Sequence, residues 1–321
     1  MIATAPGKLI VTGEYAVLDG APAIVIAVDR RAIAQRNATP RGSSPFLLAV
    51  ADEIAARRGA ADPAAHAALE ISVDSSAFYH RITKLGFGSS AAVTVAATAL
   101  ALGTADREEV LAVALAAHAR AQGPRGARGS GADVAASVHG GTIVFSREAS
   151  PDAAAPCRVE RRQWPASVML LPFFTGVAAD TAPLIARVNA ARDAKRTAVE
   201  AALTAIAEAS RAACAALTAP PDIAPMALIG AIALAAHAMD RLATATGIDL
   251  VPDCVTAARA ALARLGGTAK TTGAGGGDVG IAVLPAAVDV TLATRLLLEA
   301  GCQPLRVALD EAGVDLRADA S

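Results

Sequence analysis

The residues able to do chemistry gather in a few short stretches. Ala5-Pro6-Gly7-Lys8 sets a lysine behind a Pro-Gly pair, and Gly13-Glu14-Tyr15-Ala16-Val17-Leu18 follows closely. Lys84-Leu85-Gly86-Phe87-Gly88-Ser89-Ser90-Ala91 puts glycines and serines directly ahead of an Ala/Val/Thr/Leu run that reaches Leu102. A glycine-rich turn opening a helix leaves backbone N–H groups free at the positive end of the helix dipole, and the two together bind anions. Hydroxyls at Ser89 and Ser90 add hydrogen bonds or a magnesium ligand; the plainer reading is a capped helix. Gly129-Ser130-Gly131-Ala132-Asp133 offers a carboxylate whose plain reading is a helix N-cap. Residues 270–280, Lys-Thr-Thr-Gly-Ala-Gly-Gly-Gly-Asp-Val-Gly, hold the densest glycine in the chain. Gly273, Gly275, Gly276 and Gly277, with Ala274 among them, lose much entropy on ordering, which points to close backbone approach to a ligand rather than a simple turn.

Common nucleotide signatures do not account for these stretches. Residues 275–280 satisfy G-x-G-x-x-G, but a dinucleotide fingerprint needs a strand before it and a helix after it. The pattern here predicts a helix before and a strand after. Residues 86–91 nearly match, yet Tyr79-His80-Arg81 and Lys84 make a poor buried strand ahead of them. No G-x-x-x-x-G-K-[ST] occurs, which excludes a Walker-type loop.

The elements that must position these residues follow from composition and pattern. At 54% hydrophobic and 18% charged, the 321-residue chain buries a large core in one large domain or two. Aromatics are only 3%, so that core is built from close-packed alanine-rich helices and Val/Ile/Leu strands. A net charge of −1 with no Lys/Arg-rich block argues against a nucleic-acid-binding face. Cys157, Cys214, Cys254 and Cys302 form no C-x-x-C pair, which argues against zinc and fits a reducing, cytoplasmic setting. No signal peptide is visible, and the most membrane-like stretch, 226–236, is too short to span a bilayer.

Strands are expected within 2–18 and 23–28, around an Asp19-Gly20 turn, and over 69–73, 142–145, 168–174, 281–284 and 305–309. Helices are expected over 46–58, the alanine-rich run that follows 84–92 and reaches 102, 107–121, 181–217 with an interruption, 226–246, 254–265 and 290–300, with Asp106 as an N-cap. Residues 37–45 read as a surface loop, and the Pro/Ala-rich 150–156 as a domain boundary, giving units of 1–155 and 156–321. Strands and helices in mixed order indicate an α+β architecture.

Taken in order, 5–18, 84–92 and 270–280 resemble the first, second and third motifs of the GHMP small-molecule kinases, and the resemblance runs over essentially the whole chain. It implies a two-domain fold, an α/β amino-terminal half with a ferredoxin-like carboxy-terminal half, that uses ATP and Mg2+ on a small molecule. Within the family the details look most like the phosphomevalonate kinases: Tyr15 stands where mevalonate kinases commonly have His, Gly277-Asp278 replaces a fourth glycine, and Gly129-Ser130-Gly131-Ala132-Asp133 matches that branch.

The resemblance implies catalytic roles for Lys8 and Asp133, paired with each other, and an ATP phosphate loop at Lys84, Gly86, Gly88, Ser89, Ser90 and Ala91. Substrate contacts are expected from Lys8, Lys84, Arg125, Arg128, Ser130, Gly273, Ala274, Gly275 and Gly276, and weakly from a 175–181 loop. In several relatives a helix glutamate helps hold magnesium; the corresponding helix here has His118 and Gln122 instead, which leaves Ser89, Ser90 and water.

The implied reaction turns 5-phosphomevalonate into 5-diphosphomevalonate. The alternatives are a mevalonate or other alcohol kinase, or a GHMP-fold binding protein without catalysis. Charge separates the acceptors: an alcohol needs a proton acceptor, whereas a phosphate monoester is already anionic and needs cations to meet ATP. Arg192, Lys195 and Arg196 read as a solvated helix face. The expected chain acts as monomer or homodimer, with no nucleic-acid or membrane partner.

Overall fold

The strand Ile2–Thr12 runs antiparallel to Ala23–Arg36, with Lys8 opposite Ala27 and Leu9 opposite Ile26. Alternation sets the faces: Ala3, Ala5, Leu9 and Val11 are fully buried, while Lys8 and Ile10 are half-buried and line a cleft. A bulge at Pro6/Gly7 interrupts the ladder where proline has no N–H to give. The computed structural model describes residues 1–36, 44–80, 82–123, 129–147 and 157–318.

The first sheet has the order Asp315–Arg317, Ile2–Thr12, Ala23–Arg36, Thr142–Arg147, Cys157–Arg162, with Ile71–Asp74 also paired to Ala23–Arg36. Helices Ser89–Leu102 and Ala132–His139 pack directly on its two long strands. Ser89–Leu102 is buried almost all round, and its alanines let strands and neighbouring helices approach closely. Thr94 and Thr98 stay in that apolar setting because their hydroxyls donate to Ser90 O and Thr94 O, both at 2.8 Å.

The second sheet has the order Gln303–Pro304, Val168–Phe174, Val279–Pro285, Thr268–Thr271, all antiparallel. In chain order that is 4-1-3-2, the ferredoxin-like arrangement the resemblance implies. Between its first two strands the chain makes helices Thr181–Ala194, Arg196–Ala216, Ala224–Thr246 and Asp253–Ala263. Ser210 Oγ donates to Pro22 O at 2.6 Å and takes the Thr12 hydroxyl at 2.9 Å, tying the long helix Arg196–Ala216 to the first unit.

Several expectations need correction. Thr268–Thr271 is a strand, so the 270–280 glycines turn a hairpin rather than follow a helix; the dinucleotide motif still fails, because a strand follows. Residues 305–309 make only an isolated bridge, Val28 with Leu309. Cys157–Arg162 was not expected as a strand because its charges hide the alternation, and Pro63–Leu69 forms a helix ahead of the strand expected at 69–73.

The connector 150–156 lies outside the described residues. Because Cys157–Arg162 and Asp315–Arg317 both join the first sheet, a cut at 155/156 in sequence does not separate the units in space. Helix Ala224–Thr246 runs well past residue 236 and by length and composition could cross a membrane; Leu228, Ile232, Met239 and Leu242 on it are fully buried in the fold.

Candidate active site

The cleft-facing side of Ile2–Thr12, the openings of helices Ser89–Leu102 and Ala132–His139, the chain after Phe174 and the turn after Thr271 converge on one cleft. Lys8 lies across the turn at Gly86-Phe87-Gly88. Its N–H donates to Phe87 O at 2.8 Å, and glycines make the approach possible. A Cβ on Gly7 would lie 2.7 Å from Phe87 O, and one on Gly88 2.8 Å from Lys8 Cε. Gly88 is also the N-cap of Ser89–Leu102, in left-handed geometry at φ 75°, and no side chain caps the helix. Its first N–H groups therefore keep their capacity for a ligand at the positive end of the dipole.

Ser90 Oγ lies 3.2 Å from His118 Nε2, and the Gln122 amide nitrogen lies 3.0 Å from the same atom. Bonded to His118 on one side, the Ser90 hydroxyl oxygen keeps at least one lone pair for the cleft. Phe46 stacks on the imidazole at 5.6 Å between centroids and fixes its plane. Asp133 Oδ2 is 4.0 Å from His118 Nε2. Asp133 is not the cap of its helix: Gly131 holds that position, and Ser130 Oγ accepts the Ala132 N–H at 3.2 Å. Ser137 Oγ donates to Pro6 O at 2.6 Å, docking the helix on the bulge beside Lys8.

Burial pushes the Lys8 ammonium below the usual lysine range; Asp133 and Asp278 work against that, and Lys84 adds to it. The expected Lys8–Asp133 pairing is thus a charge interaction across the cleft. No Lys8 ion pair within 4.0 Å occurs among the described residues. Behind the cleft, Lys270 Nζ bonds Glu14 Oε1 and donates to Thr271 O at 2.7 Å, with both side chains essentially inaccessible. Burial raises the Glu14 carboxyl against the pull of Lys270. Tyr15, at φ 56°, donates its hydroxyl to Ala274 O at 2.7 Å. Glu14 and Tyr15 therefore fasten the start of the chain to the 270–274 hairpin from adjacent positions.

Residues 46–141 match the family described as GHMP kinases N terminal domain. A phosphomevalonate kinase from Streptomyces sp. (strain CL190) is 31% identical across 94% of this chain and 95% of its own length. The chain belongs to the GHMP kinase family. A Lin0012 protein from Listeria innocua superposes with a TM-score of 0.79 at 22% identity, covering 98% of this chain and 99% of that one. Streptococcus pneumoniae phosphomevalonate kinase, in complex with phosphomevalonate and AMPPNP, superposes with a TM-score of 0.77 at 18% identity, covering 96% and 99%. The GHMP kinase fold thus extends from end to end.

Of the residues the family resemblance singled out, Lys8, Lys84, Gly86, Gly88, Ser90, Gly129, Ser130, Asp133, Gly273 and Ala274 line the cleft. Ser89 and Ala91 do not; both are buried on the core side of their helix. Of the two hydroxyls at the turn, Ser90 is the one that faces the cleft. Gly275 and Gly276 do not line it either: a Cβ on Gly275 would lie 2.4 Å from Leu250 O, and Gly276 N–H donates to Leu250 O at 2.8 Å. The close backbone approach their glycines permit is to the protein's own chain. Arg125 and Arg128 lie outside the described residues.

Arg192 is engaged with Glu200 and Asp19. Asp278 also faces the cleft; its only mark in the sequence is that it stands in place of a fourth glycine. The burial of Lys270 leaves no mark there, because a lysine rarely goes inside without a partner that only the fold reveals.

Proposed function

We propose that this GHMP kinase transfers the γ-phosphoryl group of ATP to 5-phosphomevalonate, giving ADP and 5-diphosphomevalonate. The observation that carries the reading is the cleft's charge layout: an uncapped helix N-terminus with two ammoniums, Lys8 and Lys84, beside it. Two polyanions must meet there, and the cost of their repulsion falls where preorganised cations and N–H donors face them. The end-to-end relationship to a protein named phosphomevalonate kinase supports the same acceptor.

In this reading the free N–H groups at Ser89 and Ser90 receive nucleotide phosphate oxygens. Lys8 lies across the turn between donor and acceptor, and Lys84, exposed at the rim, serves the acceptor phosphate. An acceptor oxygen forms a bond to the γ-phosphorus, the bond to the bridging oxygen breaks, and ADP leaves with that electron pair. The acceptor arrives as an anion, so Asp133 acts as an electrostatic organiser of Lys8 rather than an obligatory base.

Magnesium fits the residues present. The Ser90 hydroxyl oxygen and the Asp133 carboxylate face the same cleft, and no cluster of three His, Cys, Asp or Glu able to cage a metal occurs among the described residues. That suits an ion held mainly by nucleotide phosphates and water. When bound, it would supply neutralisation of phosphate charge, with Ser90 and Asp133 as its protein ligands.

A coupled ADP-release assay tests the substrate with phosphomevalonate, mevalonate and a small sugar panel. Turnover with phosphomevalonate is expected. Turnover with mevalonate and none with phosphomevalonate would sink the proposal.

A further inference from the structure

Asp278 occupies a position built for glycine. It closes the run Gly275-Gly276-Gly277 and takes φ 53°, in the left-handed region where glycine is free and a side chain is costly. The surrounding chain holds it there: Asp278 N–H donates to Val177 O at 2.6 Å, and its carbonyl accepts from Thr175 N at 2.9 Å and Thr175 Oγ1 at 3.1 Å. Its carboxylate Oδ1 accepts the Ala179 N–H at 3.1 Å. A strained residue fixed by this many bonds at the mouth of a cleft points to use of its side chain.

The opposite wall is shaped to receive that side chain. A Cβ on Gly86 would lie 2.6 Å from Asp278 Cβ and 2.9 Å from Oδ2, so the carboxyl rests directly on the Gly86 backbone. Lys8 rests in the same way on Gly88, two residues along. One glycine turn thus carries an ammonium and a carboxyl side by side, one from each unit of the fold. The charged groups acting on Asp278 are Lys84, Lys8 and Asp180; those acting on Lys8 are Asp133, Asp278 and Lys84.

We infer that Asp278 is a positioning residue for phosphoryl transfer: its carboxylate is the counter-charge that keeps the Lys8 ammonium charged beside Lys84 over the Gly86–Gly88 turn. Two ammoniums in one partly dehydrated cleft repel, and burial already favours the neutral amine of Lys8. Asp133 offsets this from the amino-terminal unit, and Asp278 does so from the other, through the loop that carries Asp180 and Thr181 into the cleft. The loop of the carboxy-terminal unit and the charge of Lys8 are thereby linked.

The inference deepens the proposed kinase reading and rests on it for the kinetic arm alone. Asp278→Asn is a clean probe, because asparagine tolerates positive φ and its carbonyl oxygen can still accept the Ala179 N–H. Asp278→Gly removes the side chain without backbone strain and serves as the second variant. Lys8, Lys84, Lys195 and Lys270 are the chain's only lysines, so [ε-13C]lysine NMR follows each through a pH titration of the free protein.

Lys8 is expected to lose its proton at lower pH in both variants than in the parent. The alkaline fall of kcat/KM with phosphomevalonate should move the same way, with kcat/KM down about tenfold at neutral pH. An unchanged Lys8 titration in both variants overturns the inference, even if both are less stable or less active. Because the titration needs no substrate, a wrong acceptor assignment would leave its result standing.

Discussion

Lys270→Met removes one half of the buried pair that fastens the third motif to the first. Lys270 and Glu14 side chains are 1% and 0% exposed, and Glu14 Oε2 already lacks a hydrogen-bond partner. Without the ammonium, neither carboxylate oxygen is paired by a side chain, and an uncompensated buried charge costs about 3–5 kcal/mol. Against a total stability of about 5–15 kcal/mol, that is a large share. At a urea slope of about 3 kcal/mol/M the midpoint would fall by about 1–2 M.

The loss should depend on pH. Burial holds the Glu14 carboxyl above its unfolded value, and Lys270 limits the rise. Deleting Lys270 raises it further. A group with a raised folded pKa contributes stability below its unfolded pKa and loses it as pH rises through the folded one, so the variant's deficit is larger at pH 8 than at pH 5. Urea unfolding followed by fluorescence of Trp164, the single tryptophan, reads this directly. The double variant Glu14→Met with Lys270→Met should recover much of the loss, because apolar replacement of a buried pair is often neutral. A cost under about 1 kcal/mol, a deficit equal at both pH values, or a double variant no better than the single would mean that Lys270 does not compensate the buried Glu14 charge.

Asp133→Asn should lower kcat at least about a hundredfold by removing the charge that organises Lys8, with its helix intact because the residue does not cap it; near-normal turnover would remove it from the mechanism. Gly275→Ala and Gly273→Ala should part company in thermal unfolding. Both sit at positive φ, costing about 1–2 kcal/mol, but the first places its Cβ 2.4 Å from Leu250 O and the second meets nothing within 4 Å. Similar melting temperatures for the two would show that Gly275 is not a packing glycine.

The parts of the site legible in sequence were those written in local backbone chemistry. Gly86, Gly88 and the serines announced an open helix terminus, and Asp106 announced a cap that the structure shows accepting the Glu109 N–H at 2.9 Å. The ferredoxin-like order of the second sheet came from the family resemblance, not from strand patterns, because strand pairing across some 130 residues leaves no local mark. Glycine density at 273–277 signals close approach without naming the partner. Sequence reports that a backbone is approached, not by what, and at Gly275 and Gly276 the visitor is Leu250. Ser89 and Ser90 are indistinguishable as neighbours, yet helical rotation turns one into the core and the other toward His118. Asp278 stayed hidden because its meaning depends on Gly86, a residue nearly two hundred positions away.

Phosphorus NMR of the enzyme incubated with ATP, magnesium and phosphomevalonate distinguishes a phosphate acceptor from an alcohol. With a phosphate acceptor and a diphosphate product, the monoester signal gives way to two mutually coupled resonances distinct from those of ADP. Persistence of the monoester signal while ADP accumulates, or a new uncoupled monoester formed from mevalonate, would contradict a phosphate acceptor.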